Sequence, residues 1–491
     1  MQDGTLLAAV DLGSNSFRLE IGRLEHGQIQ RVEYLKETVR QGAGLDEHHN
    51  LTPEAMQRGW DCLARFAERL VGFAGPHVRA VATQTLREAR NREDFIARGS
   101  AVLGFPIDVV SGLEEARLIY KGVARMLPQS DERRLVVDIG GRSTELIVGQ
   151  QFTPAAAASC RVGSVAWSAR YFADGAFTRS AFEAAELAAQ AVLDEVVTQF
   201  PRGSWDVAYG SSGTVGAAGS VLAPVLGQQG VITREGLAWL QEQLLRARHV
   251  DRLRLEGLKD DRRAVIGGGL SILRAVFTQL GIERMTVAQG ALRQGVLYEM
   301  LDREQPETDL RSASVRALMR RVAVDEAQAE RVARVAVALF AQAAPAGSER
   351  AARKLGWAAQ LHEIGRRIAH SDHHQHGAYI LEHTDAAGFA LPELQRLGLL
   401  VQGQRGKLRK LAPALDDARL ALQLMCLRTA LALCHARRDP DVAGLTLSLQ
   451  GQRCTVRTRA GWAQAYPQSA YLLREEGHAW ARTPWEYVTE L

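Results

Sequence analysis

The chain has 491 residues, 46% hydrophobic and 24% charged, with 60 Lys and Arg against 56 Asp and Glu for a formal net charge of +4. That length exceeds what one core holds and predicts two to four domains, while the near-balanced charge confines any polyanion site to a local patch. No apolar run approaches a membrane span, the N-terminus enters a strand within a few residues, and five scattered cysteines have neither disulfide nor zinc spacing, so we expect buried thiols, a reducing cytoplasmic setting and no signal peptide.

Residues 6 to 40 alternate in β fashion around a turn at His26-Gly27. Within them, Ala9 to Gly22 carries an apolar run, an acid and a Gly/Ser turn: Asp11, Gly13, Ser14, Asn15, Ser16. Thr52-Pro53-Glu54 then opens a helix to about Leu70, with Thr52 suited to the N-cap and Pro53 to the first helical position. Strands are expected at Val78 to Thr83, followed by Thr85-Leu86-Arg87-Glu88, and at Ile107 to Val110. A helix from about Glu114 to Met126 follows. Ser111 and Glu114 have capping-box spacing, which would commit Glu114 to the Ser111 amide. Glu115 lies about 100° further round the helix. It is either a free acid at the end of a strand or a solvated first-turn carboxylate that favours the helix dipole.

Leu135 to Gly149 repeats the first hairpin. With Val10 set on Val137, the pairs Asp11/Asp138, Gly13/Gly140, Ser16/Ser143, Leu19/Leu146 and Gly22/Gly149 coincide. A long-spaced repeat of one strand-turn-strand unit predicts two halves of similar fold facing each other. Glycines turn backbone amides toward an anion, and serine hydroxyls add donors. An Asp at the strand end repels a bare phosphate but suits one carrying Mg2+.

Beyond the second hairpin, Phe182 to Phe200 reads as helix, and Val207 to Thr214 as a strand entering a third Gly/Ser turn with Gly213 and Thr214. Gly267-Gly268-Gly269 is expected to precede a helix, Met285 to Ala288 to form a strand, and Gly290 to lead into a helix through Met300. The P-loop pattern is missing, which argues against a P-loop NTPase. After Pro306 the pattern is helical to about Arg438. Five histidines between 362 and 376, with Glu363, sit at loose spacing and read as helix-face and loop residues before they read as a metal site. Arg405, Lys407, Arg409 and Lys410 form the densest basic run, a solvated face or a polyanion path. A hairpin across Gln450-Gly451 closes the chain.

Asp11 through Phe17, Thr85-Leu86-Arg87, Ser111 through Ile119, Asp138 through Gly141 with Ser143-Thr144-Glu145, and Gly213-Thr214 resemble in order the motifs of the exopolyphosphatase/guanosine pentaphosphate phosphatase (Ppx/GppA) family. The resemblance implies an α/β fold: two actin-like (ribonuclease-H-like) domains around a cleft at 1–126 and 127–305, a helical HD-like domain at 306–440 and a small C-terminal α+β region at 441–491. It implies Mg2+-dependent hydrolysis of terminal phosphoanhydrides, of inorganic polyphosphate as the first expectation and pppGpp as the alternative. Glu115 matches the family's general base. Asp138 and Glu145 match acids around the metal and water, with Asp11 a third metal ligand. Gly13, Ser14, Asn15, Ser16, Arg87, Gly140, Gly141, Ser143, Gly213 and Thr214 match the phosphate-holding set. Arg142 departs from the family's usual small residue and is a candidate phosphate grip. His362-Glu363 replaces the expected His-Asp of the HD fold, which points to a scaffold domain. A homodimer is implied, without nucleic acid or membrane. Competing classes are a kinase or ATPase of the same clan and a non-catalytic polyphosphate or nucleotide sensor.

Overall fold

Continuous burial from Leu7 to Leu12 makes the first strand a central one, since a strand covered on both faces reads as an unbroken apolar run. In the computed structural model, which describes residues 1–491 except 129, 305–308 and 385 and leaves out the side chains of Glu304 and Lys410, this strand is β1 (Leu6–Leu12). It is followed by β2 (Phe17–Glu25), β3 (Gln28–Glu37), β4 (Val78–Ala82) and β5 (Ile107–Val109), in the order β3-β2-β1-β4-β5. His26 and Gly27 both have positive φ, the backbone twist that a two-residue hairpin turn requires.

The second sheet holds β6 (Arg133–Ile139), β7 (Thr144–Gln150), β8 (Thr153–Cys160), β9 (Val207–Ser211), β10 (Val231–Thr233) and β11 (Arg284–Val287). Its order is β10-β11-β9-β6-β7-β8. In both sheets an antiparallel meander of three strands continues, through its first strand, into two parallel neighbours. The sequence repeat is therefore a structural one, with β6 in the place of β1 and β7 in that of β2. Both sheets belong to one unit, Met1–Thr308, and Asp309–Leu491 forms the other. The boundary expected after residue 126 falls inside the first unit.

Two helices inside the first unit cross at glycines. A Cβ at Gly122, in the helix Gly112–Arg125, would lie 2.0 Å from the Ala291 carbonyl oxygen, and one at Gly295, in the helix Leu292–Glu304, 1.8 Å from that of Leu118. Beside this crossing, Glu299 receives Lys121 at 2.7 Å and Arg117 at 3.0 Å. Gly267 to Gly269 lie in the first turn of the helix Ile266–Gln279, not ahead of it as expected, because Gly268 packs against the backbone of Ser168 with no room for a side chain.

In the second unit, helices from Leu310–Arg321 to Ala418–Leu433 are followed by a sheet of β12 (Leu445–Gln450), β13 (Arg453–Thr458) and β14 (Glu486–Glu490) in that order. That sheet shares one apolar core with the helices, including Leu447, Val456, Trp480 and Tyr487, so the boundary expected at 440 falls within a continuous core. Glu363 is taken by Arg437 at 2.7 Å and Arg366 at 3.0 Å, and His362 sets Nδ1 2.6 Å from the Ala359 carbonyl. No helix among the described residues is long and apolar enough to cross a membrane. The five cysteines are buried and unpaired.

Candidate active site

The two duplicated hairpins place their turns face to face. Gly141, in the β6–β7 turn, would bring a Cβ to 3.1 Å from Ser14 in the β1–β2 turn, so the loops meet with only glycine between them. Each turn is closed the same way: a Cβ at Gly13 or Gly140 would lie 2.9 or 3.1 Å from the carbonyl of the serine three residues on. The second turn is anchored from behind, where Ser164 donates from its amide (2.9 Å) and hydroxyl (3.0 Å) to the Gly140 carbonyl. A third turn joins them at the end of β9. There Ser212 adopts φ +85°, a conformation costly for a side-chain-bearing residue and found mostly where function over-determines the backbone. Its hydroxyl donates to the Ile139 carbonyl at 2.8 Å.

Between these turns lies a cleft with about 670 Å³ of open space. Of the expected residues, Asp11, Gly13, Ser14, Asn15, Ser16, Glu115, Asp138, Gly140, Gly141, Ser143 and Gly213 line it. Thr214, Arg87, Glu145 and Arg142 stand behind the lining. Arg87 donates to Glu115 at 2.7 Å and to the Val110 carbonyl at 3.0 Å. Arg142 differs from the expected phosphate grip, for its guanidinium is spent on Glu88 (2.9 and 2.6 Å) and the Gly42 carbonyl (3.0 Å). Arg405, Lys407 and Arg409 line a separate open pocket in the second unit, and the Lys410 side chain lies outside the described residues.

The ion pair with Arg117, in place of the expected bond to the Ser111 amide, separates Glu114 from Glu115. Ser111 Oγ accepts from the Glu114 amide at 3.2 Å, and the Glu114 carboxylate is held by Arg117 through two bonds of 2.8 Å. Glu115, one position on, turns into the cleft. Burial pushes its pKa up, only partly offset by Arg87, and the Asp11 charge adds to the rise.

Cross-strand register decides the other acids. On β1 and β2, Asp11 faces Arg18, which donates at 3.3 Å; Arg293 adds a second bond at 3.3 Å. On β6 and β7 the matching positions are Asp138 and Glu145, two acids directly opposite. Like charges so placed repel. Burial pushes Asp138 up to about 6 despite a hydrogen bond from Ser211, and burial with the Glu115 and Asp138 charges pushes Glu145 well above the usual range. Ser159 donates to Glu145 Oε1 at 2.9 Å, while Oε2 is buried with no hydrogen-bond partner among the described residues.

That orphaned oxygen beside Asp138 offers hard donors to a divalent cation. Asp11, the third expected ligand, accepts from two arginines. Among the described residues no three His, Cys, Asp or Glu side chains are placed to hold one ion, so such a cation would draw its other ligands from substrate oxygens and water.

Sequence reasoning missed the cations of the cleft, Arg18, Arg262 and Arg293. Arg18 had a signal, since its register opposite Asp11 follows from the hairpin; Arg262 and Arg293 come from distant segments.

A stability measurement tests the Asp138 environment. A carboxyl whose pKa is raised on folding stabilises the fold only below its unfolded pKa, and that contribution is lost as pH rises through the folded value. In metal-free buffer, wild type should therefore lose stability relative to Asp138→Asn between about pH 4 and pH 6, by up to about 3 kcal/mol, and then level off. A pH-independent difference in urea midpoints would contradict this.

Comparison with known proteins matches the chain to a family and to relatives. Residues 21–304 match the model of the Ppx/GppA phosphatase family, and residues 310–477 that of Ppx/GppA phosphatase, domain III. A guanosine-5'-triphosphate,3'-diphosphate pyrophosphatase of Vibrio cholerae is 41% identical over 99% of this chain and 98% of its own. An exopolyphosphatase from Cytophaga hutchinsonii superposes with TM-score 0.55 at 25% identity, covering 61% of this chain and 98% of that one. A Ppx/GppA family member from Aquifex aeolicus has TM-score 0.51 at 24% identity, covering 61% and 99%.

Proposed function

Since the chain belongs to the Ppx/GppA phosphatase family, with two actin-like domains and a helical C-terminal region, and is a phosphoanhydride hydrolase, we propose that its substrate is guanosine-5′-triphosphate,3′-diphosphate, pppGpp. This reverses the first expectation, inorganic polyphosphate, because the full-length relative carries the nucleotide in its name. One observation on the molecule carries the reading. The cleft continues into a second lobe that shares Arg18, Arg262 and Arg293 with it and adds Lys36, Lys259, the Tyr34 ring and small residues such as Gly216 and Gly257. A substrate anionic at both ends of a nucleoside needs two cationic lobes and an apolar surface between them. A bare phosphate chain needs no such surface.

In this reading the amides and hydroxyls of the two hairpin turns hold the 5′-triphosphate end. Glu115 orients a water and takes its proton as the water oxygen bonds to the terminal phosphorus. The bridging P–O bond breaks, and its electron pair stays on the bridging oxygen of the departing 5′-diphosphate. Asp138 and Glu145 would hold Mg2+, which supplies charge neutralisation of the phosphoryl oxygens when bound. Asp138→Asn should then raise the Mg2+ concentration for half-maximal rate, since an amide is a poorer ligand for a hard cation. An unchanged titration would remove Asp138 from the metal's environment. A homodimer in the cytoplasm completes the reading, and light scattering checks the dimer.

Released phosphate measured side by side with pppGpp, tripolyphosphate and long-chain polyphosphate tests the substrate. A higher kcat/KM on pppGpp is expected; a preference for long chains would restore exopolyphosphatase as the main activity. For that second reading, Arg405, Lys407, Arg409 and Lys410 remain the candidate foothold. Among the described residues none of the first three is in an ion pair, and their pocket also holds Arg482 and Arg428, the latter paired with Glu476. Changing the four to Gln in the full-length protein should weaken long-chain binding and flatten its salt dependence, leaving tripolyphosphate hydrolysis intact. Equal losses on both substrates would instead mark the run as a support of the fold.

A further inference from the structure

Arg142 sits on the β6–β7 turn but spends its side chain on the other half of the unit. Its Nε and Nη2 donate to Glu88 Oε2 at 2.9 and 2.6 Å, and Nη1 to the Gly42 carbonyl at 3.0 Å. Glu88 ends the short helix Gln84–Glu88, and its second oxygen accepts from Gln84 Nε2 at 2.7 Å. The Gln84 oxygen accepts from Arg87 Nε at 3.0 Å and Nη2 at 2.6 Å. Arg87 Nη1 in turn donates to Glu115 at 2.7 Å. Five side chains therefore form one unbroken line from the second hairpin turn to the acid in the cleft.

The line has a direction. Gln84 shows its NH2 to a carboxylate and its oxygen to a guanidinium, and the reverse orientation would set donor against donor. Each member is thus oriented by the one before it. The Arg142 stem also has a fitted slot: a Cβ at Gly42 would come within 2.9 Å of its Cδ. Gln84 and Glu115 are buried and the Glu88 side chain is 14% exposed, so water replaces a lost partner only in part. Removing Arg142 leaves the Glu88 carboxylate uncompensated and open to compete with Glu115 for the Arg87 guanidinium.

We propose that Arg142 is a positioning residue for hydrolysis, holding the Glu115 carboxylate on its water through Glu88, Gln84 and Arg87. The proposal rests on the reading of Glu115 as general base. It gives the second phosphate-holding turn a physical connection to the group that activates water, so the turn and the base are set together.

Steady-state kinetics of the full-length protein with pppGpp and with tripolyphosphate test it. Arg142→Gln and Glu88→Gln should each lower kcat about tenfold with KM changed by less than about twofold, as expected for misplacing a base without removing a substrate contact. On the Glu115→Gln background, Arg142→Gln should cost nothing further, because it acts only through Glu115. A raised KM with kcat kept would make Arg142 a phosphate holder and overturn the proposal. So would a full additional kcat loss on the Glu115→Gln background. Should Arg142→Gln fold poorly by thermal unfolding, Glu88→Gln carries the same test from the other end of the pair. Glu115→Gln alone separates the two readings. If it is silent, the base assignment falls and takes this route with it; if it is crippled while Arg142→Gln is silent, the line alone falls.

Discussion

Glu115→Gln should reduce kcat by about 10²-fold or more while leaving the fold and KM nearly unchanged, the effect of losing a general base. The motivation is the contrast with its neighbour. Glu114 is held by Arg117 through two 2.8 Å bonds, whereas Glu115 lines the cleft and keeps one guanidinium, Arg87, as its partner. A glutamine keeps the shape and a hydrogen bond from Arg87 but cannot take a proton. The pH profile adds a second signature. Burial raises the Glu115 pKa, so loss of activity on acidification should begin above the ordinary glutamate range. Because Glu115, Asp138 and Glu145 influence one another, the limb belongs to the cluster and not to one residue. In Glu115→Gln the limb should move to lower pH, because Asp138 and Glu145 then titrate without the Glu115 charge that raises them. If Glu114→Gln were the crippling change and Glu115→Gln nearly silent, the base would be misassigned.

How far the sequence revealed this site follows from what each feature depends on. The duplicated hairpins were legible because a Gly/Ser turn after an apolar run is local chemistry, and repetition of Asp11 as Asp138 marks it twice. The Thr52 cap was legible for the same reason, and its hydroxyl accepts from the Ala55 amide at 3.3 Å. The repeat equates Asp11 with Asp138 but hides their different settings, because the residue across the strand is Arg18 in one half and Glu145 in the other. One substitution in register turns a neutralised acid into half of a like-charged pair. Arg142 could not be understood alone, since its meaning is Glu88, on a helix 54 residues earlier in the chain. Strands β8 and β14 escaped too. The Ala-rich run of β8 has little β signal of its own, and pairing with β7 overrides that weak propensity.

Charge in the second lobe should decide between nucleotide and phosphate chain. Lys259 and Arg262 both line it. Arg262 packs its guanidinium so close to Gly213 that a Cβ there would lie 2.3 Å from Nη2, which sets the cation at the mouth of the third turn. Burial lowers the Arg262 pKa, with the Arg18 charge adding to the fall. An arginine nonetheless stays protonated near neutrality, so this pressure measures how much a nearby anion would be welcomed. Asp261 lies 3.8 Å from it and is shared with Lys36 at 2.5 Å. Replacing Lys259 and Arg262 together with Gln should therefore raise KM for pppGpp by about 10²-fold, each lost charge-assisted contact costing roughly 1.5–3 kcal/mol before rearrangement recovers part of it. Tripolyphosphate, which meets Arg262 at the third turn but not Lys259, should lose one of the two contacts and change by only about tenfold. The ratio between the substrates is the informative quantity, because a general disturbance of the cleft moves both. Equal losses would place the two cations on the phosphate chain itself and return inorganic polyphosphate to the head of the candidate substrates.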